Sequence, residues 1–291
     1  MRRALVFTAA LCLAACGQTA EPVSDAAVPA EPAGPEVGSL DWAIAGDWRS
    51  DLERARDAWR SPKATLEFFG LEPGHTVVEV WPGGGWYTNI LAPYLKEGGG
   101  QFIAAGFDPE GSEFAQNAMA RFNETYVGDP ETYGDIEVTV FSSDSDGMAP
   151  AGTADVVLTF RNVHNWMAGG YQAKAFADAY AALKPGGILG VVEHRLPSTE
   201  VQDPVAASGY VHEDYVKAQA EAAGFEFVDS SEINANPVDT ADHPFGVWTL
   251  PPVSRTADQD GETPEGFDPD AFRAIGESDR MTLKFRKPAE S

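Results

Sequence analysis

The sequence predicts an α/β chain, a three-layer sandwich whose mostly parallel sheet of about seven strands carries helices on both faces. Two observations lead there. Residues 77–95 read as a strand, a sharp glycine turn and a helix, the elementary unit of an open parallel sheet. Beyond them, short β-branched runs alternate with helical stretches as far as residue 228.

The first forty residues stand apart. Arg2 and Arg3 precede an apolar run over residues 4–11, then Leu13-Ala14-Ala15-Cys16. Residues 1–15 read as a secretory signal, too short in its apolar part to remain as a spanning helix. Leu-Ala-Ala-Cys resembles a bacterial lipobox. That implies cleavage before Cys16, a lipid on its sulfur and a place on the periplasmic side, at the outer membrane because Gly17 follows. The alternative is an ordinary signal in which Cys16 is incidental. Cys12 is the only other cysteine and leaves with the signal, so neither a disulfide nor a thiol nucleophile is expected. Residues 16–40 are rich in Ala, Pro and Glu and read as a tether that cannot bury enough surface to fold.

Residues 41–291 are long enough for one domain with its own core. The net charge of −25 argues against nucleic acid or anionic lipid heads as partners, leaving the lipid anchor as the membrane contact. Ser50-Asp51-Leu52-Glu53 is a capping-box pattern opening a helix over residues 52–60, which Pro62 stops. A second helix covers residues 63–69. Trp42, Trp48 and Trp59 read as a cap on the sheet edge, with ligand contact the alternative.

The strand at residues 77–80 carries Glu79 near its end and is broken by Pro82, Gly83, Gly84 and Gly85; Ile90, Leu91 and Leu95 then recur at helical spacing. Glycines after a strand admit a ligand to the backbone and to the helix N-terminus, or serve only their own turn. The second strand is residues 101–105, a helix follows at 114–122, and alternation gives a third strand at 136–141. The fourth, residues 155–160, runs into Arg161-Asn162-Val163-His164-Asn165-Trp166, read as a polar loop past a strand end. A helix over residues 171–183, a Leu-Lys-Pro-Gly-Gly turn and a fifth strand at 188–192 follow. A helix at 215–223 and a sixth strand at 224–228 precede a long excursion, residues 229–279. Residues 281–285 are expected to close the sheet as an antiparallel edge strand.

The segment Val-Val-Glu-Val-Trp-Pro-Gly-Gly-Gly-Trp-Tyr-Thr, residues 77–88, resembles the first motif of class I S-adenosylmethionine-dependent methyltransferases. Leu-Lys-Pro-Gly-Gly, at the expected distance and order, resembles a second motif of that superfamily. More narrowly, the chain is similar to a group of exported, lipoprotein-type predicted methyltransferases. The likeness covers residues 61–248 and implies a Rossmann-like fold. The match departs from the motif at Trp81, where the family has its first glycine, and at Pro82; both bear on donor binding.

The resemblance implies that Glu79, Trp81, Gly83, Gly85, Asp108 and Asp144 hold S-adenosylmethionine. Asp108 is also explained by an Asp-Pro turn and Asp144 by a solvated Ser/Asp loop. Arg161, Asn162, His164 and Trp166 would face a small-molecule acceptor of unspecified identity. Because His164 and His194 follow adjacent parallel strands, they should meet at one sheet edge, as a general base, with Glu193 as metal ligands, or merely as histidines of polar loops. No short-spaced ligand pair is present, so no metal is expected. The competing class is a lipoprotein that binds a small ligand on this fold and transfers nothing.

Overall fold

The computed structural model describes residues 34–289, so the signal, Cys16 and most of the tether lie outside the described residues. Within them, helices α1 (Leu40–Ala45), α2 (Asp51–Arg54), α3 (Asp57–Arg60) and α4 (Pro62–Phe69) lead into strand β1 (Thr76–Val80). Then come α5 (Thr88–Gly98), β2 (Gln101–Gly106), α6 (Glu113–Phe122), α7 (Pro130–Tyr133), β3 (Glu137–Val140) and β4 (Ala154–Phe160). The chain continues through α8 (Val163–Gly169), α9 (Gln172–Ala182), β5 (Leu183–His194), α10 (Glu213–Ala222), β6 (Glu226–Ser231), α11 (Pro269–Ile275) and β7 (Arg280–Arg286). None of these helices is long and apolar enough to cross a membrane.

The seven strands form one sheet in the order β3-β2-β1-β4-β5-β7-β6, with only β7 antiparallel to its neighbours. This is a Rossmann-like fold, and the expected three-layer sandwich. Strand alternation builds the layers. Val78, Val80, Val157, Leu189 and Val191 point to a core shared with α8, α9 and α10. Val77, Phe102, Val156 and Leu158 point to the opposite core, closed by α1, α4, α5 and α6. Truncating such fully buried side chains to Ala costs about 2–5 kcal/mol each.

Four local expectations need correction. β7 is not an edge strand: it lies between β5 and β6, and its buried Met281, Leu283 and Phe285 contrast with β6, whose residues are mostly exposed. The helix expected over residues 52–60 is broken into α2 and α3. The Ser50–Glu53 capping box is present, but turn-type bonds from Arg56 to Glu53 and from Trp59 to Arg56 interrupt the spiral. Pro62 starts α4 at its first turn, where the missing N–H costs nothing. The Lys-Pro-Gly-Gly segment is taken into β5 as an irregularity, where pairing jumps from Ala154–Leu183 to Val156–Ile188.

Parallel order places the carboxyl ends of β1, β2, β4 and β5 along one sheet edge, beside the switch point between β1 and β4 where such folds keep their ligands. The excursion folds back over that edge.

Candidate active site

Two backbone strains mark the switch point. Trp81 directly follows β1 with φ +48°, and Arg161 directly follows β4 with φ +63°. Left-handed backbone costs a non-glycine residue about 1–2 kcal/mol, and here tertiary bonds hold it. The Trp81 N–H donates to Ala105 O at 2.8 Å, and the Arg161 N–H to Val192 O at 2.7 Å. Asn162 then ties the two strand ends together, its amide donating to Val80 O at 2.8 Å. That bond makes Asn162 a positioning residue.

A cavity of about 410 Å³ opens above these ends. Glu79, Trp81, Gly83 and Gly84 form one side; Arg161, Asn162, His164 and His194 form another. Arg56 and Arg60 close it from α3 and the turn before it, and Val247–Val253 of the excursion cover it. Tyr87 and Phe160, stacked with ring centroids 3.5 Å apart, complete the apolar wall.

The segment expected as a loop, residues 161–166, instead runs into α8 from Val163, and the cause is Glu193. This wholly buried carboxylate accepts the Val163 N–H at 2.6 Å through Oε2. Its Oε1 accepts the His194 N–H at 2.8 Å and stands 3.0 Å from His164 Nδ1. An anion at a helix start meets unpaired N–H groups and the positive end of the dipole. Since a carboxylate can only accept, Nδ1 is the donor in this contact. Among the described residues nothing pairs with Nε2.

The two histidines meet as the topology requires, with rings 5.4 Å apart. His194 Nδ1 lies 2.5 Å from Ser278 Oγ. Burial, together with the nearby His164, Arg161, Arg280 and Arg60, pushes the His194 pKa well down, so it is neutral near pH 7. His164, Glu193 and His194 place potential metal-ligand atoms within 4.8 Å of one another. Both Glu193 oxygens are already committed to backbone N–H groups and His164, an arrangement suited to a polarised base.

Glu79 is buried at the end of β1, and its Oε2 accepts from Thr88 Oγ1 at 2.7 Å. Burial raises its pKa to about 7, against the opposing effects of Thr88 and Arg161. Gly85 is a packing requirement: a Cβ there would stand 2.2 Å from the Tyr126 ring. Gly84 is open, with nothing within 4 Å of such an atom. Glu79, Trp81 and Gly83 line the cavity, whereas Gly85 does not. Asp108 and Asp144 also lie outside its lining. Asp108 accepts the Glu110 N–H within its own turn, and Asp144 is exposed beside Ser143. Trp166 is buried in the core rather than facing a ligand.

Sequence reasoning missed one whole wall. Glu277, just before β7, is bonded by Arg56 at 2.7 Å, Arg60 at 3.0 Å and Arg280 at 3.1 Å, with Arg161 at 3.9 Å. Burial alone would raise the Glu277 pKa, but Arg60, Arg280, Arg161 and Arg56 outweigh it and hold it near about 2. The Arg60 guanidinium lies over Trp86, 4.7 Å from the ring centroid. No pattern in the sequence distinguishes these arginines from a solvated helical face.

No family model and no curated protein matches the chain. Solved structures match at the level of fold. The [4+2]-cyclase SpnF shares 18% identity at a TM-score of 0.50, over 84% of this chain and 86% of its own. A SAM-dependent methyltransferase from Aquifex aeolicus shares 22% identity at 0.48, over 62% of this chain and 87% of its own. An S-adenosylmethionine-dependent methyltransferase from Mesorhizobium loti shares 15% at 0.46, over 84% and 99%. The similarity to SpnF is one of fold.

Proposed function

We propose that the protein is an S-adenosylmethionine-dependent methyltransferase acting on a small acceptor, anchored by a lipid on Cys16 outside the cytoplasm. The observation that carries the reading is one cavity with an open glycine backbone on one side and a buried His164–Glu193 pair on the other. The residues fit such a donor. Gly83 and Gly84 leave the backbone approachable, Glu79 stands at the strand end, and Trp81 with Phe107 offers an aromatic face. When bound, the donor supplies a methyl group already activated on a sulfonium.

The chain's own contribution is therefore position and proton transfer. His164 Nε2 takes a proton from the acceptor's O–H or N–H as that atom becomes nucleophilic. Glu193 holds the imidazole in the tautomer that leaves Nε2 free and stabilises the cation that forms. Val247, Trp248 and Leu250 exclude water above the histidines.

A second reading, small-ligand binding without transfer, draws support from Trp81. Its indole packs 4.9 Å from Phe107 and donates to Phe141 O at 2.9 Å, filling the crevice at the ends of β2 and β3. A fold shared with a cyclase does not decide between chemistries. Titration calorimetry of the purified protein with S-adenosylmethionine and S-adenosylhomocysteine separates the readings. Saturable binding of both supports transfer; folded protein that binds neither removes the donor.

A further inference from the structure

In a chain of net charge −25, cationic side chains are concentrated where they are least needed for solubility. Arg56, Arg60 and Arg161 line the cavity, and buried Arg280 stands behind them. Their shared carboxylate is Glu277, which leaves several positive charges without a matching anion.

The other two acids of the cavity are engaged elsewhere. Glu53 accepts from Asn89 Nδ2 at 2.5 Å and from the Ser50 N–H at 2.8 Å. Glu79 is bonded to Thr88, and burial pushes its pKa up to about 7, so near neutrality it carries only part of a charge. Arg56 Nη2 and Arg60 Nη2 are buried without a hydrogen-bond partner among the described residues. An unpaired guanidinium nitrogen away from water is costly, and water would solvate it at the surface. Burial and the neighbouring Arg161 pull the Arg60 pKa down to about 9, so the cluster repels itself as it stands.

We propose that this arginine-lined end of the cavity binds an oxyanion, a carboxylate or phosphate carried by a small ligand. The planar guanidinium fork matches either group. Trp86 holds the Arg60 plane from one face, with Arg49 also over that ring at 5.1 Å. Glu277 acts as an internal counter-ion that keeps the cluster foldable when no ligand is bound. The site goes beyond the methyltransferase reading and stands without it.

The test is thermal stabilisation of the full protein by sodium phosphate and by sodium succinate at fixed ionic strength, with sodium chloride as reference. Phosphate or succinate should raise Tm saturably where chloride does not. Arg56→Gln and Arg161→Gln, both at partly exposed positions, should each weaken the apparent Kd about tenfold or more. Lys63→Gln, an exposed lysine paired with Asp41, should leave it unchanged. Glu277→Gln should tighten it, a gain that damage to the fold cannot produce. Saturating S-adenosylhomocysteine assigns the source: displaced phosphate identifies the oxyanion as the donor's carboxylate, and retained phosphate identifies a second ligand. Equal stabilisation by chloride, or arginine variants that respond like wild type, overturns the proposal.

Discussion

His164 Nδ1 lies 3.0 Å from Oε1 of Glu193, a carboxylate with no exposure to solvent. The same carboxylate starts α8, so the base and the helix that carries it share one anchor. His164→Gln should keep the fold and lower methyl transfer about 10²–10⁴-fold, the usual contribution of a general base. Metal content, measured on wild type and variant by mass spectrometry, should be the same in both. A stoichiometric metal lost with His164 replaces the base with a ligand.

Glu193→Gln should be worse than His164→Gln in stability. An amide offers one acceptor oxygen where the carboxylate uses two, so a buried N–H is left unmet at about 1–3 kcal/mol. Chemical denaturation of both variants compares them directly.

Glu79 makes stability depend on pH in a definite direction. Its pKa is raised from 4.5 to about 7 in the folded state, so the fold holds the proton more tightly than the unfolded chain. Stability from this group is full below pH 4.5 and is lost as pH rises to about 7, by up to about 3 kcal/mol. Glu79→Gln should flatten that decline. Glu79→Ala should weaken donor affinity about ten- to a hundredfold. Denaturation from pH 4 to 8 and calorimetry check the two parts separately.

Glu277 has the opposite sign. Its pKa is lowered from 4.5 to about 2, so its stabilisation is present above 4.5 and lost as pH falls toward 2. Glu277→Gln should lose about 3–5 kcal/mol at neutral pH, because the buried guanidinium groups lose their shared counter-ion. Stability followed by circular dichroism from pH 6 to 2 should decline less in the variant than in wild type.

Trp81 separates the two readings of the cavity. If the indole is the wall on which the donor stacks, Trp81→Ala weakens binding. Calorimetry that instead shows tighter binding to this variant identifies the indole as an obstruction and favours the second reading.

The anchor is checked in cells. Cys16→Ser should give protein that stays uncleaved or no longer partitions into detergent with lipoproteins. Normal processing of that variant disposes of the lipid.

What could be read from the sequence divides along physical lines. β1, its glycine turn and α5 were legible because local residues determine them: β-branched strand, breaker, helical repeat. The meeting of His164 and His194 was legible because adjacent parallel strands end at one edge. α8 was not legible, since its first turn is held by Glu193, thirty residues away in sequence. Arg56 and Arg60 were not legible either. Their partner Glu277 is more than two hundred residues distant, and a charged helix gives no sign of which face is covered. The interior place of β7 escaped for a similar reason. A short apolar run announces a strand but not its neighbours.

That interior strand governs when the protein can become itself. Strands β1 to β5 emerge from the ribosome in an order that lets each find a neighbour, but β6 can join the sheet only through β7, which follows it in the chain. The segment that completes the sheet also delivers Glu277, Ser278 and Arg280 to the cavity. Any nascent chain short of this segment has an open β5 edge, unpaired backbone groups and no counter-ion for its arginines. Closure of the sheet and arrival of the arginines' counter-ion are thus one long-range event, and vectorial synthesis alone postpones the finished site until β7 has emerged.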